Sequence, residues 1–289
     1  MGGRILFLCA AGAALALSAP VFSAQRPAPT PQTVPTFASK SAMVMLSATA
    51  VDGRGRAVAG LDGEEFLVLD EGRPQRIEHF VEDTTTPARI LVLVDVSGSM
   101  DGQLRITSAR MAATQFLDGL GSQDFVSLAG FDSDYFVLVD WTRERRRILD
   151  AFGGLKPFGS TALHDALDRA AQDLASQAEG RRAVVVITDG IDTASRGTPD
   201  EVIERSRALD VPIYSVSVVS PIDDPHSDAY SGVTSPTAAA AGNALLERYA
   251  MMSGGAAFIV SDFGALKKAA DAIASDIRHQ YRLGYDAPD

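Results

Sequence analysis

Six consecutive residues, Asp95-Val96-Ser97-Gly98-Ser99-Met100, hold the pattern in this 289-residue chain that speaks most directly of chemistry. They follow the apolar run 90–94, so they fall where a buried strand runs out at its carboxyl end. Oxygen donors at alternate positions, Asp95, Ser97 and Ser99, turn toward one point if the chain curls there, and Gly98 permits the curl. Hard divalent cations take such oxygens. Mg²⁺ prefers octahedral oxygen with one or two carboxylates, and completes its shell with water or a ligand from a partner.

Two more segments supply what this half-site lacks. Gly159-Ser160-Thr161-Ala162-Leu163 opens a helical pattern and puts the Thr161 hydroxyl at a helix start. Ile187-Thr188-Asp189-Gly190 closes a second apolar run and delivers another carboxylate at a strand end. In open α/β sheets ligands bind along this edge. Taken singly, the first segment reads as a capped strand-to-helix turn, Thr161 as an N-cap and Asp189 as a turn carboxylate. Their recurrence at matching strand ends favours one shared site. Asp132 and Asp192 lie near the same edge and at most support the ligands. His164, one helical turn beyond Thr161, reads as a solvated helix residue, with orientation of a metal-bound water or a partner as its sharper alternative. His79, His226 and His279 show no ligand spacing, and a single cysteine, Cys9, rules out a disulfide framework or a cysteine zinc site.

The elements that position these residues follow from periodicity. From the boundary at 84–87 onward, apolar strands (90–94, 183–188, 211–219 and 257–260) alternate with helical patterns, as in a parallel sheet covered on both faces. Ile106, Ala109, Ala113, Phe116 and Leu120 stripe one helix, and Leu163, Leu167, Ala170 and Leu174 another. Segments 125–131 and 135–141, separated by Asp132-Ser133-Asp134, form a hairpin and hence an antiparallel edge. The arginines at 143 and 145–147 read as a solvated helix face with stems covering apolar surface. Residues 220–237 are an insertion rich in Asp, Ser and Pro, either a loop shaping partner choice or a disordered one. The last helix starts at the N-cap Asp262 and carries Phe263, Leu266, Ala270, Ile273 and Ile277 on one face. Tyr281, Leu283 and Tyr285 then alternate as a closing strand.

The chain ahead of this domain divides in three. Arg4, the apolar run 5–17 and the small residues up to Ala24 read as a secretory signal, residues 1–24, too short for a membrane anchor. Residues 25–40 are a Pro-rich flexible linker. Residues 41–83 form a small β unit. In it 43–51 alternates and ends at the hairpin signal Asp52-Gly53, and a second pair, 66–69 and 75–81, is joined by the turn 70–73. So small a unit docks on the domain of residues 84–286 that follows. The composition is globular, 46% hydrophobic, and the formal net charge is −11 from 26 basic and 37 acidic residues. Such a chain repels nucleic acid and anionic lipid, so neither is a partner, and no membrane insertion is expected once the signal is cleaved.

In this order and on these elements, Asp95, Ser97 and Ser99, then Thr161, then Asp189 resemble the metal-ion-dependent adhesion site (MIDAS) of the von Willebrand factor type A (VWA) domain family. The resemblance covers about 89–280 with its strand and helix order. The stretches Gly60-Leu61-Asp62, Glu65-Phe66 and 70–75, with the ending 280–285, are similar to the bacterial VWFA-related proteins of acidobacterial type, which extends the match to 41–286. The resemblance implies a doubly wound, mostly parallel α/β sheet with one antiparallel edge strand. It also implies Mg²⁺, with Mn²⁺ or Ca²⁺ as substitutes, held by those five residues, and an open position filled by an Asp or Glu carboxylate of a partner protein. By the same analogy the last helix shifts to change affinity.

Two formal negative charges leave a divalent ion electrophilic enough to take an anionic ligand, and no general base lies beside it in sequence. No G-x-S-x-G, phosphate-binding glycine-lysine loop, H-E-x-x-H or cysteine nucleophile is present. The sequence therefore predicts a non-enzymatic interaction module, secreted or in the cell envelope. An envelope scaffold with a structural metal is the alternative, and a metal-dependent hydrolase a more distant one.

Overall fold

Ile90, Val92 and Val94 alternate with Leu91 and Leu93, and all five are buried, because the strand that holds them is covered on both faces. The computed structural model describes residues 43–53, 57–100, 103–178, 180–218 and 235–286, with backbone alone at 99, 103–106, 108 and 263. The expected signal and linker, 1–40, and most of the 220–237 insertion lie outside the described residues.

The central strand β5 (Arg89–Asp95) lies in a six-stranded sheet of order β10-β9-β8-β5-β6-β7. Its parallel members are β6 (Phe125–Phe131), β8 (Arg182–Thr188), β9 (Ile213–Val218) and β10 (Ala257–Val260). At the edge, β7 (Tyr135–Thr142) runs antiparallel to β6. The expected doubly wound sheet with one antiparallel edge is therefore the observed one.

Two apolar cores sit on the two faces. Ile90, Val92 and Val94 pack with Ala109, Ala113 and Phe116 of α1 (Gln103–Asp118), Ile148 of α2 (Arg145–Phe152), and Leu266, Ile273 and Ile277 of α6 (Phe263–Arg278). Leu91 and Leu93 pack with Leu163, Leu167 and Leu174 of α3 (Leu163–Ala175), Val202 of α4 (Pro199–Ala208), and Leu246 and Tyr249 of α5 (Pro236–Ser253). Each Val, Leu, Ile or Phe side chain buried this way contributes about 1.5–3 kcal/mol against the entropy of ordering the chain. Asp262 caps α6 as expected, accepting from the Ala265 N–H.

The small β unit is assembled differently from the sequence expectation. The chain does double back after Asp52-Gly53, with an antiparallel bridge between Val51 and Ala57 and the Val58 N–H donating to Ala50 O at 2.8 Å, but β1 (Met43–Ala48) itself pairs elsewhere. Its partner is β11 (Gln280–Asp286), which lies between β1 and β4 (Ile77–Asp83), antiparallel to both. Tyr281, Leu283 and Tyr285 on β11 are buried, so a middle position suits that strand. The second hairpin pairs β2 (Val68–Asp70) with β3 (Arg73–Gln75) rather than with 75–81. Glu71 and Gly72 at φ 48° and 78° form its two-residue turn, whose double left-handed geometry matches strand twist. Two helices were not foreseen, α4 and α5. Pro236 and Thr237, assigned above to the insertion, are the first residues of α5.

Candidate functional site

β5 and β8 lie side by side with Val94 opposite Ile187, so the residues that follow leave the sheet at one edge. Asp95 and Ser97 are fully buried there. Asp95 Oδ1 accepts from the Ser97 N–H at 2.9 Å, and Oδ2 accepts from the Thr188 hydroxyl at 2.6 Å. Thr188 Oγ1 in turn accepts from the Gly190 N–H at 3.0 Å. One carboxylate oxygen is thus held by its own turn and the other by the neighbouring strand. Burial, and then the charge of Asp189, push the Asp95 carboxyl up from 3.8 to about 6, against hydrogen bonds from Ser97 and Thr188 that favour the ion. Two carboxylates that repel in a dry setting are relieved by a cation shared between them.

The loops around them are laced by backbone hydrogen bonds. The Val96 N–H donates to Phe131 O at 2.9 Å, Phe158 N–H to Val96 O at 2.8 Å, Gly98 N–H to Gly159 O at 2.9 Å and Ala162 N–H to Asp132 O at 2.7 Å. A Cβ at Gly98 would sit 3.2 Å from the Gly159 carbonyl oxygen, so a larger residue there would push the two loops a few tenths of an ångström apart. Ser99 has its backbone in the single 3-10 turn Gly98–Met100; its side chain lies outside the described residues.

Thr161 is buried and its backbone is fixed. Its N–H donates to Thr193 Oγ1 at 2.9 Å, and its carbonyl accepts from the Thr193 and Ala194 N–H groups. It does not cap α3. The N-cap position is Ala162, and the helix start is satisfied from another loop: Asp192 Oδ2 accepts from Leu163 N–H at 2.8 Å and Ser195 Oγ from His164 N–H at 2.9 Å. Asp192 is therefore a helix cap supplied in trans. Asp189 is half-buried, and its Oδ1 accepts from the Ile191 N–H at 3.3 Å. Asp132 turns to its own loop and accepts from the Asp134 N–H at 3.0 Å.

His164 corrects the sequence reading. It is buried rather than solvated, with Nδ1 2.8 Å from the Tyr249 hydroxyl on α5. Burial lowers its pKa, opposed by Asp192 and Asp165, which favours the neutral ring. Thr188, Ser195 and Tyr249 are the residues of this neighbourhood that sequence reasoning missed, whereas Asp192 was expected to play a supporting part. Thr188 stands beside Asp189, but no spacing rule marks it.

Among the described residues no group of three or more His, Cys, Asp or Glu side chains converges on a common cation position. A cation at this edge therefore depends on hydroxyls, water and a ligand from outside. The donors present, two carboxylates with Ser97 and Thr161, are hard oxygens of the kind Mg²⁺ takes.

Residues 90–191 match the family described as von Willebrand factor type A domain. A stretch of 61 residues, 21% of the chain, is 41% identical to the human voltage-dependent calcium channel subunit alpha-2/delta-4 and covers 5% of it. Another of 111 residues, 37% of the chain, is 31% identical to an uncharacterised protein of Synechocystis and covers 26% of that one. The chain thus spans a small part of the length of these curated relatives. Among solved structures, von Willebrand factor type A from Catenulispora acidiphila superposes with a TM-score of 0.53 at 13% identity, over 87% of this chain and 67% of that one. The conserved hypothetical protein BatB from Bacteroides thetaiotaomicron gives 0.51 at 19% identity, over 66% and 98%. Identities this low speak to the fold alone.

Proposed function

Since residues 90–191 belong to the von Willebrand factor type A domain family, we propose that this chain is an exported interaction module that captures a carboxylate of a partner protein through a divalent cation. Asp95, Ser97, Ser99, Thr161 and Asp189 hold the cation, Mg²⁺ in the first place and Mn²⁺ or Ca²⁺ as substitutes. When bound, it supplies a Lewis-acidic position open to one anionic ligand. The observation that carries the reading is the placement of the buried Asp95, both of whose carboxylate oxygens are held by the Ser97 N–H and the Thr188 hydroxyl, next to the end of β8 from which Asp189 follows.

The residues divide the work. Thr188 and the Ser97 N–H hold both oxygens of Asp95 in place before any ligand arrives. Asp192 and Ser195 fix the start of α3, and with it Thr161 just ahead of it. Pre-fixed donors spare the ordering entropy that would otherwise weaken ion binding. Two acidic ligands, rather than three or four, only just neutralise a divalent ion and leave it electrophilic enough to take the partner's Asp or Glu.

The test is calorimetric titration of Mg²⁺ and Mn²⁺ into the chain lacking residues 1–24, beside Asp95→Ala and Thr161→Ala, with thermal melts to show that all three fold. Saturable binding lost in both variants is the expected result. A folded native chain that binds neither ion removes the reading and leaves a scaffold.

A further inference from the structure

Phe158 is 80% exposed, the highest value among the large apolar side chains described, and it stands three residues before Thr161. Scattered apolar residues on a surface need no explanation. This one is not scattered. Its N–H is bonded to Val96 O at 2.8 Å, and the next residue, Gly159, accepts from the Gly98 N–H at 2.9 Å. The ring is therefore carried on a backbone tied at two points to the loop of Asp95, Ser97 and Ser99. Gly159 and Ser160, exposed beside it, leave it uncovered, and Lys156 adds an exposed cation on the same loop.

We propose that Phe158 is a second anchor of the carboxylate-binding site and sets its specificity. The partner it selects is a protein segment with a large aliphatic or aromatic side chain within about three residues of the captured Asp or Glu. This rests on the reading above and narrows it. Three residues of loop span at most about 10 Å, and an extended peptide covers that distance in a similar number of residues. An aromatic ring on a fixed backbone offers a large apolar face at little entropic cost, which is what dominant interface residues provide. The surroundings account for the need. Asp134 and Asp165 line a shallow pocket at the start of α3 together with Arg196, so the charge there is mixed, and an apolar contact adds a selectivity that charge does not supply. Lys156 reinforces the attraction for the carboxylate.

The probes are short Gly/Ser peptides with one central Glu, unmodified or with Leu one, two or three positions to either side, and a Glu→Gln version of each. Binding is followed in Mg²⁺ by NMR shifts of the native chain and of Phe158→Ser, whose exposed position leaves folding untouched. Metal affinity is titrated separately in both chains. The expected result is that at least one Leu placement tightens binding roughly tenfold over the Leu-free peptide. The gain disappears in Phe158→Ser while Mg²⁺ affinity stays the same, and the Glu→Gln peptides bind to neither chain. Equal binding of all Glu peptides, a Leu preference that survives Phe158→Ser, or Mg²⁺ binding with no peptide binding at millimolar concentration overturns the inference. Absence of Mg²⁺ binding in the native chain overturns the underlying reading and the inference with it.

Discussion

Among the described residues two buried carboxyls are raised to about 6 for different reasons, and the contrast shows what each is for. Asp95 has burial, a like charge at Asp189 and hydrogen bonds arranged to hold an anion. Asp276 on α6 has burial alone, and its Oδ1 finds no hydrogen-bond partner. Its folded pKa lies above the ordinary 3.8, so the fold prefers the protonated form. Below about pH 4 folded and unfolded chains are both protonated and nothing is lost. As pH rises through 6 the folded chain must ionise a buried group, and stability falls. Asp276→Asn, which keeps the shape and cannot ionise, is expected to stabilise the chain at pH 7–8 by on the order of 1–2 kcal/mol. The gain should vanish near pH 4. Urea midpoints measured at both pH values decide it, and a gain independent of pH would point to a cause other than ionisation. At this scale the sequence shows Asp95, Ser97, Thr161 and Asp189 because type and spacing mark them. It does not show that His164 is buried, since the Tyr249 that meets it lies 85 positions away.

Elements were legible where a stripe or an apolar run marked them, as in β5, β8, α3 and α6. The helix α5 left no such mark, because Ala238 to Ala241 gives it neither a polar nor an apolar face. The helix α4 did carry a signal, Thr198-Pro199-Asp200-Glu201, which the structure uses as a capping box. Missing α5 had a consequence, since it packs directly on the loop that carries Asp189. Gly190 there has φ 80°, and a Cβ on Gly242 of α5 would fall 2.9 Å from the Gly190 carbonyl oxygen. Gly242→Ala sets two effects against each other. Alanine in a helix is worth about 1 kcal/mol over glycine, while overpacking against backbone costs about 1–3 kcal/mol. Backbone cannot rotate away as a side chain would, so the second effect wins. The variant is expected to melt earlier and, because the 188–190 loop is displaced, to bind Mg²⁺ several-fold more weakly. A variant that melts later with unchanged Mg²⁺ affinity would show that α5 retreats freely and does not brace the loop.

At the scale of the molecule, a single residue, His279, joins α6 in the core of the large sheet to β11 in the middle of the small one. The pairing of β11 with β1 and β4 joins segments more than 190 positions apart, which no local pattern can announce. Tyr281 is the pin of this joint. It is fully buried, its ring lies 4.9 Å from Phe66 and 5.7 Å from Phe80, and its hydroxyl donates to Val58 O at 2.8 Å. Removing it in Tyr281→Ala leaves a cavity and an unmet carbonyl, a loss of about 3–5 kcal/mol. Where that loss is felt tells whether the two sheets fold as one. The lone tryptophan, Trp141, lies on β7 at the other edge of the large sheet and reports on that sheet alone. If β11 transmits stability through α6, Trp141 fluorescence and far-UV circular dichroism of the variant should fall together at one lowered midpoint. If the small sheet is an appendage, part of the dichroism will be lost early while the Trp141 transition stays where it is in the native chain. The first outcome is expected, because α6 buries Leu266, Ile273 and Ile277 against the same core that holds Ile90 and Val94. A strand fixed to one end of that helix cannot let go without loosening the face that supports β5 and, at its end, Asp95.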